Sequence, residues 1–231
     1  MAATAALVAA AGWGCMYGAA SRILPHYFGS EFMGGMENWR NAWSLPTQLG
    51  LLPLLYVSRT WQPAAAAFSD TLFAYLFVLY MCLDFVFVSV SGLLAVHHIV
   101  CLIGHATVCL FLPQGFATYF AGVVALEVGS ATINIWLLDS RSRARMALFA
   151  LGMTASNAAA CGVAYQWALL PIAPVPKAIN LVLTLAIVAI RQVSMVDDLR
   201  HGPSELREKP KRPPLQDKRQ SSPVSVRTKH W

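Results

Sequence analysis

Apolar residues in this chain gather into runs of about twenty, the length that crosses a hydrocarbon core of about 30 Å as a helix. Seven such runs are read, at 2–23, 43–57, 71–90, 93–112, 116–138, 146–170 and 175–192. The second is the weakest, being short and carrying Pro46 and Pro53, so it is expected to be kinked or partly interfacial. The pattern predicts an all-α membrane protein with about seven transmembrane helices and no internal repeat. From His201 onward the chain is polar, charged and Pro-rich, too poor in apolar surface to offset the entropy of ordering. The expected organisation is a first helix and loop over 1–36, a transmembrane domain over 37–195 and a disordered basic tail over 196–231.

The connections set an orientation. Only Ser91 and Gly92 separate the third and fourth runs, and "LPQG" separates the fourth and fifth. Between the fifth and sixth lies "DSRSRAR", with Arg141, Arg143 and Arg145. Cytoplasmic loops collect Lys and Arg, so this loop and the basic tail belong on the cytoplasmic side. Two runs separate them, which agrees. Counting back through seven puts the N-terminus outside the cytoplasm. The opening "MAATAALVAAAGWGCMYGAASR" has no basic residue before its apolar run, and Arg22 follows it. That favours a retained helix over a cleaved signal.

Composition agrees. Hydrophobic residues make up 57% of the chain and charged residues 12%, against about 25% charged in an average soluble domain. Of the net charge of +6, residues 191–231 supply most, with ten Lys/Arg against five Asp/Glu. Basicity confined to a tail does not describe a nucleic-acid-binding face. The five cysteines fall in apolar runs without CxxC spacing and are expected to be packing residues.

Ionisable groups at membrane depth usually face a bundle interior or a wet cavity. In the fourth run, His98, His105 and Cys109 fall within about 40° on a helical wheel, whereas His97 lies about 100° away. In the fifth, Glu127, Ser130 and Asn134 share a face. Tyr80 and Asp84 stand at i, i+4 in the third, and Thr154, Asn157, Cys161 and Tyr165 form a stripe in the sixth. Short loops make the third, fourth and fifth helices antiparallel neighbours, so these stripes are expected to line one polar cavity between the third and sixth spans. His98 is the expected cavity-facing histidine. His97 is expected to fix packing against a neighbouring helix, and His105 to be neutral and structural.

Other chemistries fit less well. His98 and His105 lie about 10 Å apart along a helix axis, and no His-His pair has i, i+4 spacing, so no metal or other cofactor is expected. A retinal Schiff base needs a lysine mid-span in the last helix, and Lys177 sits at its start. Transport by proton relay through Asp84 and the histidines ranks last, for want of a transporter-like repeat.

Four stretches carry a resemblance. "LLAVHHIV" (93–100), "GFATYFAGVVALEVGSATINIWLL" (115–138), "YMCLDFVF" (80–87) and, more weakly, "ENWRNAWSLPTQ" (37–48) resemble segments of the TLC-domain family, which includes the ceramide synthases and smaller proteins linked to membrane lipid composition. The likeness covers about residues 37–195. Two features set this chain apart. Gln48 stands near where the family often has a histidine, and Glu127 and Asn134 replace the paired aspartates of ceramide synthases. The chain resembles the small members.

The resemblance implies a TLC-type bundle in the endoplasmic reticulum or another endomembrane, acting in lipid metabolism or homeostasis. The implied partners are a membrane lipid or fatty acyl group, including acyl-CoA, and a homo-oligomer is compatible with it. If the protein is an enzyme, the expected reaction is acyl transfer to a lipid amine or hydroxyl. His98 or His97 would be the general base, with Asp84 or Glu127 orienting it. Tyr80, His105, Ser130, Asn134 and Asn157 would contact the substrate. The alternative is a non-enzymatic lipid-binding, regulatory or sorting protein.

Overall fold

The computed structural model describes residues 2–33 and 36–202. Among the described residues it is all-α apart from one antiparallel pair of two-residue strands. In chain order the elements are α1 (Ala2–Ile23), α2 (Pro25–Phe28), β1 (Phe32–Met33), β2 (Met36–Glu37), α3 (Asn38–Leu45), a π-helical turn (Pro46–Leu51), α4 (Leu52–Trp61), α5 (Ala66–Phe87), α6 (Gly92–Phe111), α7 (Phe116–Leu137), α8 (Arg143–Leu169) and α9 (Pro174–His201). Short 3₁₀ turns at Pro63–Ala65 and Pro113–Gly115 lead into α5 and α7.

Six helices are long and apolar enough to cross a membrane, among the described residues: Ala2–Ile23, Pro63–Phe87, Leu94–Phe111, Pro113–Leu137, Arg143–Leu169 and Pro174–His201. This is an integral, multi-pass membrane protein by architecture. The helix ends have local causes. Ser91 Oγ accepts from Leu94 N–H at the start of α6, and Ser142 Oγ accepts from Arg145 N–H at the start of α8. Pro174 opens α9 where a missing N–H costs nothing, and Gly202, at φ +77°, closes it.

The weak second run takes an unexpected form. α3, the π turn and α4 make one continuous helical rod over 38–61, about 36 Å long. Its polar side chains Arg40, Asn41, Ser44, Thr47 and Gln48 are buried, while Leu49, Leu54, Val57 and Trp61 are exposed. Pro46 has no N–H for the regular ladder, and the backbone there widens to an i+5 bond from Leu52 N–H to Thr47 O. At one end of the bundle Glu37 Oε1 accepts from Ser89 N–H at 3.2 Å, and Met33 packs on the cluster formed by Trp136, Leu137, Phe149, Met153 and Met195. At the other end Tyr56 meets Phe120, while Phe116 joins Leu112, Trp167 and Ile172.

α1 packs chiefly on α5, α7 on α8, and α8 on α9. The central core stacks Phe73 on Phe120 with centroids 3.8 Å apart. α6 leans on α9 and touches α7 little, despite the short connection. α9 continues to His201, so residues 196–201 are helix rather than tail, and residues 203–231 lie outside the described residues.

Candidate functional site

The polar side chains expected around one cavity separate into a packed network and a distinct cavity. The network centres on Asp84, 1% exposed near the end of α5. Its carboxylate accepts from Arg40 Nε and, at 2.8 Å, from Arg40 Nη2. Tyr17 O–H of α1 donates at 2.5 Å, and His98 Nε2 of α6 lies 2.8 Å away. Arg40 also donates to Ser44 and places its guanidinium 4.4 Å from the Tyr80 ring centroid. Such an arrangement, forked and charge-assisted on one side and cation–π on the other, suits arginine specifically.

A second hub follows eight residues, about two turns, along the same rod. Gln48 Nε2 donates to Tyr80 Oη at 3.1 Å and to Glu127 Oε2 at 2.8 Å, and its Oε1 accepts from Asn134 Nδ2 at 2.9 Å. The three fixed partners determine how the Gln48 amide is oriented. Asp84, His98, Tyr80, Glu127 and Asn134 thus sit in linked hydrogen-bond clusters that the rod ties together.

The cavity lies between α6, α7, α8 and α9, with Phe77 of α5 at its edge, and measures about 90 Å³. His97, Cys101, Glu127 and Arg191 line it toward one end, and Trp167 and Leu181 line the other. Along α9 it extends from Asn180 to Arg191, about 16 Å of helix. Gly104 and Gly122 contribute bare backbone to its wall.

This geometry corrects the helical-wheel assignment of α6. His97 lines the cavity, with Nε2 3.6 Å from Cys101 Sγ. His98 does not; it is buried against Asp84, and its Nδ1 has no hydrogen-bond partner among the described residues. The wheel placed His98 and His105 on one face correctly, and both are 3% exposed. That face, however, packs against the bundle, and the cavity opens on the side of His97. His105 Nδ1 lies 3.0 Å from Tyr119 Oη, with its ring against Phe73 and Phe77.

The cavity also sits one helix later than expected, between α6 and α9 rather than the third and sixth spans. The stripe expected on α8 does not face inward as a unit. Asn157 is buried, donating to Gln192 Oε1 at 2.9 Å, whereas Thr154 and Cys161 are exposed and Tyr165 is 67% exposed. All five cysteines are free, and Cys15, Cys82 and Cys161 are exposed.

Arg191 was counted with the basic tail on sequence grounds, yet it is built into the bundle. Nε donates to Asn157 Oδ1 at 3.2 Å and Nη1 to Ser130 Oγ at 2.7 Å. Nη2 donates to Leu126 O at 2.9 Å and to Ser156 Oγ at 3.4 Å. Gly129 makes this approach sterically possible, since a Cβ there would stand 2.6 Å from Arg191 Nη2 and 2.2 Å from Ser156 Oγ. Arg40, Gln48 and Tyr17 were also missed as site residues. A signal existed for two of them: Arg40, Ser44, Thr47 and Gln48 repeat at helical spacing in an otherwise apolar run.

In comparisons with known proteins, no family model matches the chain, no curated protein is found similar to it and no solved structure matches it.

Proposed function

We propose that this is a small TLC-type membrane protein that holds a lipid or fatty acyl group between α6, α7, α8 and α9, and so acts in membrane lipid metabolism or homeostasis. The carrying observation is the cavity itself. It is elongated, lies inside a membrane bundle, is apolar along most of its length and bears His97, Glu127 and Arg191 toward one end. Concave, largely apolar spaces with a few convergent polar groups are the usual form of ligand sites. What supports the family reading is that the four resembling stretches meet: Arg40 and Gln48 of 37–48 bond Asp84, Tyr80, Glu127 and Asn134, and His98 of 93–100 lies 2.8 Å from Asp84.

The fuller topology belongs to the same proposal. The rod over 38–61 counts as a seventh crossing, because its exposed large side chains Leu49, Leu54, Val57 and Trp61 are apolar and its Arg40 and Gln48 are bonded inside the bundle. With seven crossings, 139–145 and the C-terminus lie on the cytoplasmic side of an endomembrane, and the N-terminus lies opposite.

The test is lipid-resolved mass spectrometry of the purified full-length protein and of a cavity-filled variant, Ala160→Phe. A co-purifying acyl lipid that disappears from the variant is the expected result. An unchanged lipid profile in a folded variant refutes the reading.

A second reading, lipid acyl transfer, draws on His97. Its imidazole faces the cavity beside Glu127 and Arg191, where a base, an orienting carboxylate and an oxyanion-stabilising cation would be needed. In that reaction His97 takes the proton of a lipid hydroxyl or amine as it attacks the carbonyl of an acyl thioester; the C–S bond then breaks, His97 returns the proton to the departing thiolate, and His98 only supports the helix. Product formation from palmitoyl-CoA, abolished in His97→Gln and retained in His98→Gln, separates turnover from binding.

A further inference from the structure

Arg191 meets only neutral acceptors. Its four bonds go to Asn157, Ser130, Ser156 and the Leu126 carbonyl, and no ion pair to it occurs among the described residues. A guanidinium carries five N–H donors, so one Nη1 N–H stays uncommitted at a side chain that lines the cavity. Glu127 borders the same space without an ion pair to Arg191, and its carboxylate accepts from Gln48. Charges withdrawn from water are ordinarily paired with an opposite charge. This one is pre-oriented by four bonds and lacks that direct partner.

The rest of the cavity describes what would supply it. From Arg191 the lining runs past Ile187 and Leu183 on α9 and Val163 on α8 to Trp167. The space is narrow and bounded by four helices, and it runs lengthwise along about 16 Å of α9, the shape of one extended chain. Glu127 on the same wall penalises a second negative charge, so a monoanionic head is favoured over a phosphate monoester.

We infer that the occupant is a single-chain fatty-acid carboxylate, with its head on the guanidinium of Arg191 and its tail directed toward Trp167. This rests on the lipid-binding reading above and names the ligand class within it. The contact is non-covalent, with the carboxylate accepting the free Nη1 N–H in a charge-assisted bond.

The experiment is equilibrium binding of labelled palmitate, hexadecanol, hexadecylamine and hexadecyl phosphate to the purified full-length protein, to Arg191→Gln and to Arg191→Lys. Palmitate should bind wild type about ten- to a hundredfold more tightly than hexadecanol, the span of one charged hydrogen bond. Arg191→Gln should erase that preference without abolishing hexadecanol binding, and Arg191→Lys should keep part of it. Equal binding of palmitate and hexadecanol to wild type overturns the inference but leaves lipid binding intact. Tighter binding of hexadecyl phosphate or hexadecylamine overturns the carboxylate assignment. Failure of every chain to bind wild type removes the lipid-binding reading as well. Should Arg191→Gln fail to fold, the headgroup series on wild type decides.

Discussion

Replacing Asp84 by asparagine removes a charge while conserving shape, and the structure makes it a severe change. Three groups converge on this carboxylate: Arg40 through two nitrogens, Tyr17 O–H and His98 Nε2. Asparagine keeps one acceptor oxygen and turns the other into an NH₂ that faces donors. Arg40, 0% exposed, is left without its counter-charge. Breaking a buried ion pair from one side costs about 3–5 kcal/mol, and at about 2–4 °C per kcal/mol for a chain of this size the midpoint should fall by roughly 6–20 °C.

The double variant Arg40→Met, Asp84→Leu removes both charges and should recover much of that loss. The assay is a double-mutant cycle on thermal unfolding in a fixed detergent, using Asp84→Leu and Arg40→Met as the single variants. A coupling of about 2 kcal/mol or more is expected, within the range for residues in direct contact. Additive single effects, or an Asp84→Asn protein as stable as wild type, would show that Arg40 and Asp84 do not form this pair.

Three further outcomes are expected. His97→Gln should alter ligand binding or turnover with little change in stability, whereas His98→Gln should lower stability through Asp84; the reverse ranking, measured by melting and lipid binding, would restore the wheel assignment. Gly129→Ala should destabilise by about 1–3 kcal/mol through overpacking, because its Cβ meets Ser156 and Arg191, and a melt matching wild type would contradict the close α7–α8 approach. Truncation after Gly202 should preserve the melting midpoint, since the described core is complete by α9, and a lower midpoint would show that the tail docks on the bundle.

Much of the architecture was legible in the chain because a membrane helix is a long, contiguous signal. The six apolar helices all coincide with runs read from the sequence. The 38–61 rod was half visible, since its prolines and polar residues weaken the apolar pattern, and the polar residues Arg40, Asn41, Ser44, Thr47 and Gln48 are the ones that turn inward. Site residues were harder. Asp84, His98, Glu127 and Asn134 stand out as polar groups in apolar runs. Which face of α6 meets the cavity is a different matter, because rotation about a helix axis is set by partners distant in sequence. The partner that fixes it here is Asp84, fourteen residues away in another helix. Arg191 was hidden by position, as a cation near the end of an apolar run reads as flanking charge until Ser130, Ser156 and Asn157 are seen around it.

The inverted polarity of the 38–61 rod bears on how the protein is made. A nascent segment carrying Arg40, Asn41, Ser44, Thr47 and Gln48 partitions poorly into lipid, since each polar side chain costs free energy in hydrocarbon until it is paired. The groups that satisfy it are Asp84, Tyr80, Glu127 and Asn134, all synthesised later. On the proposed seven-crossing topology, the rod is expected to complete its insertion only once α5 and α7 have been made, which would put assembly of this bundle out of step with the sequence.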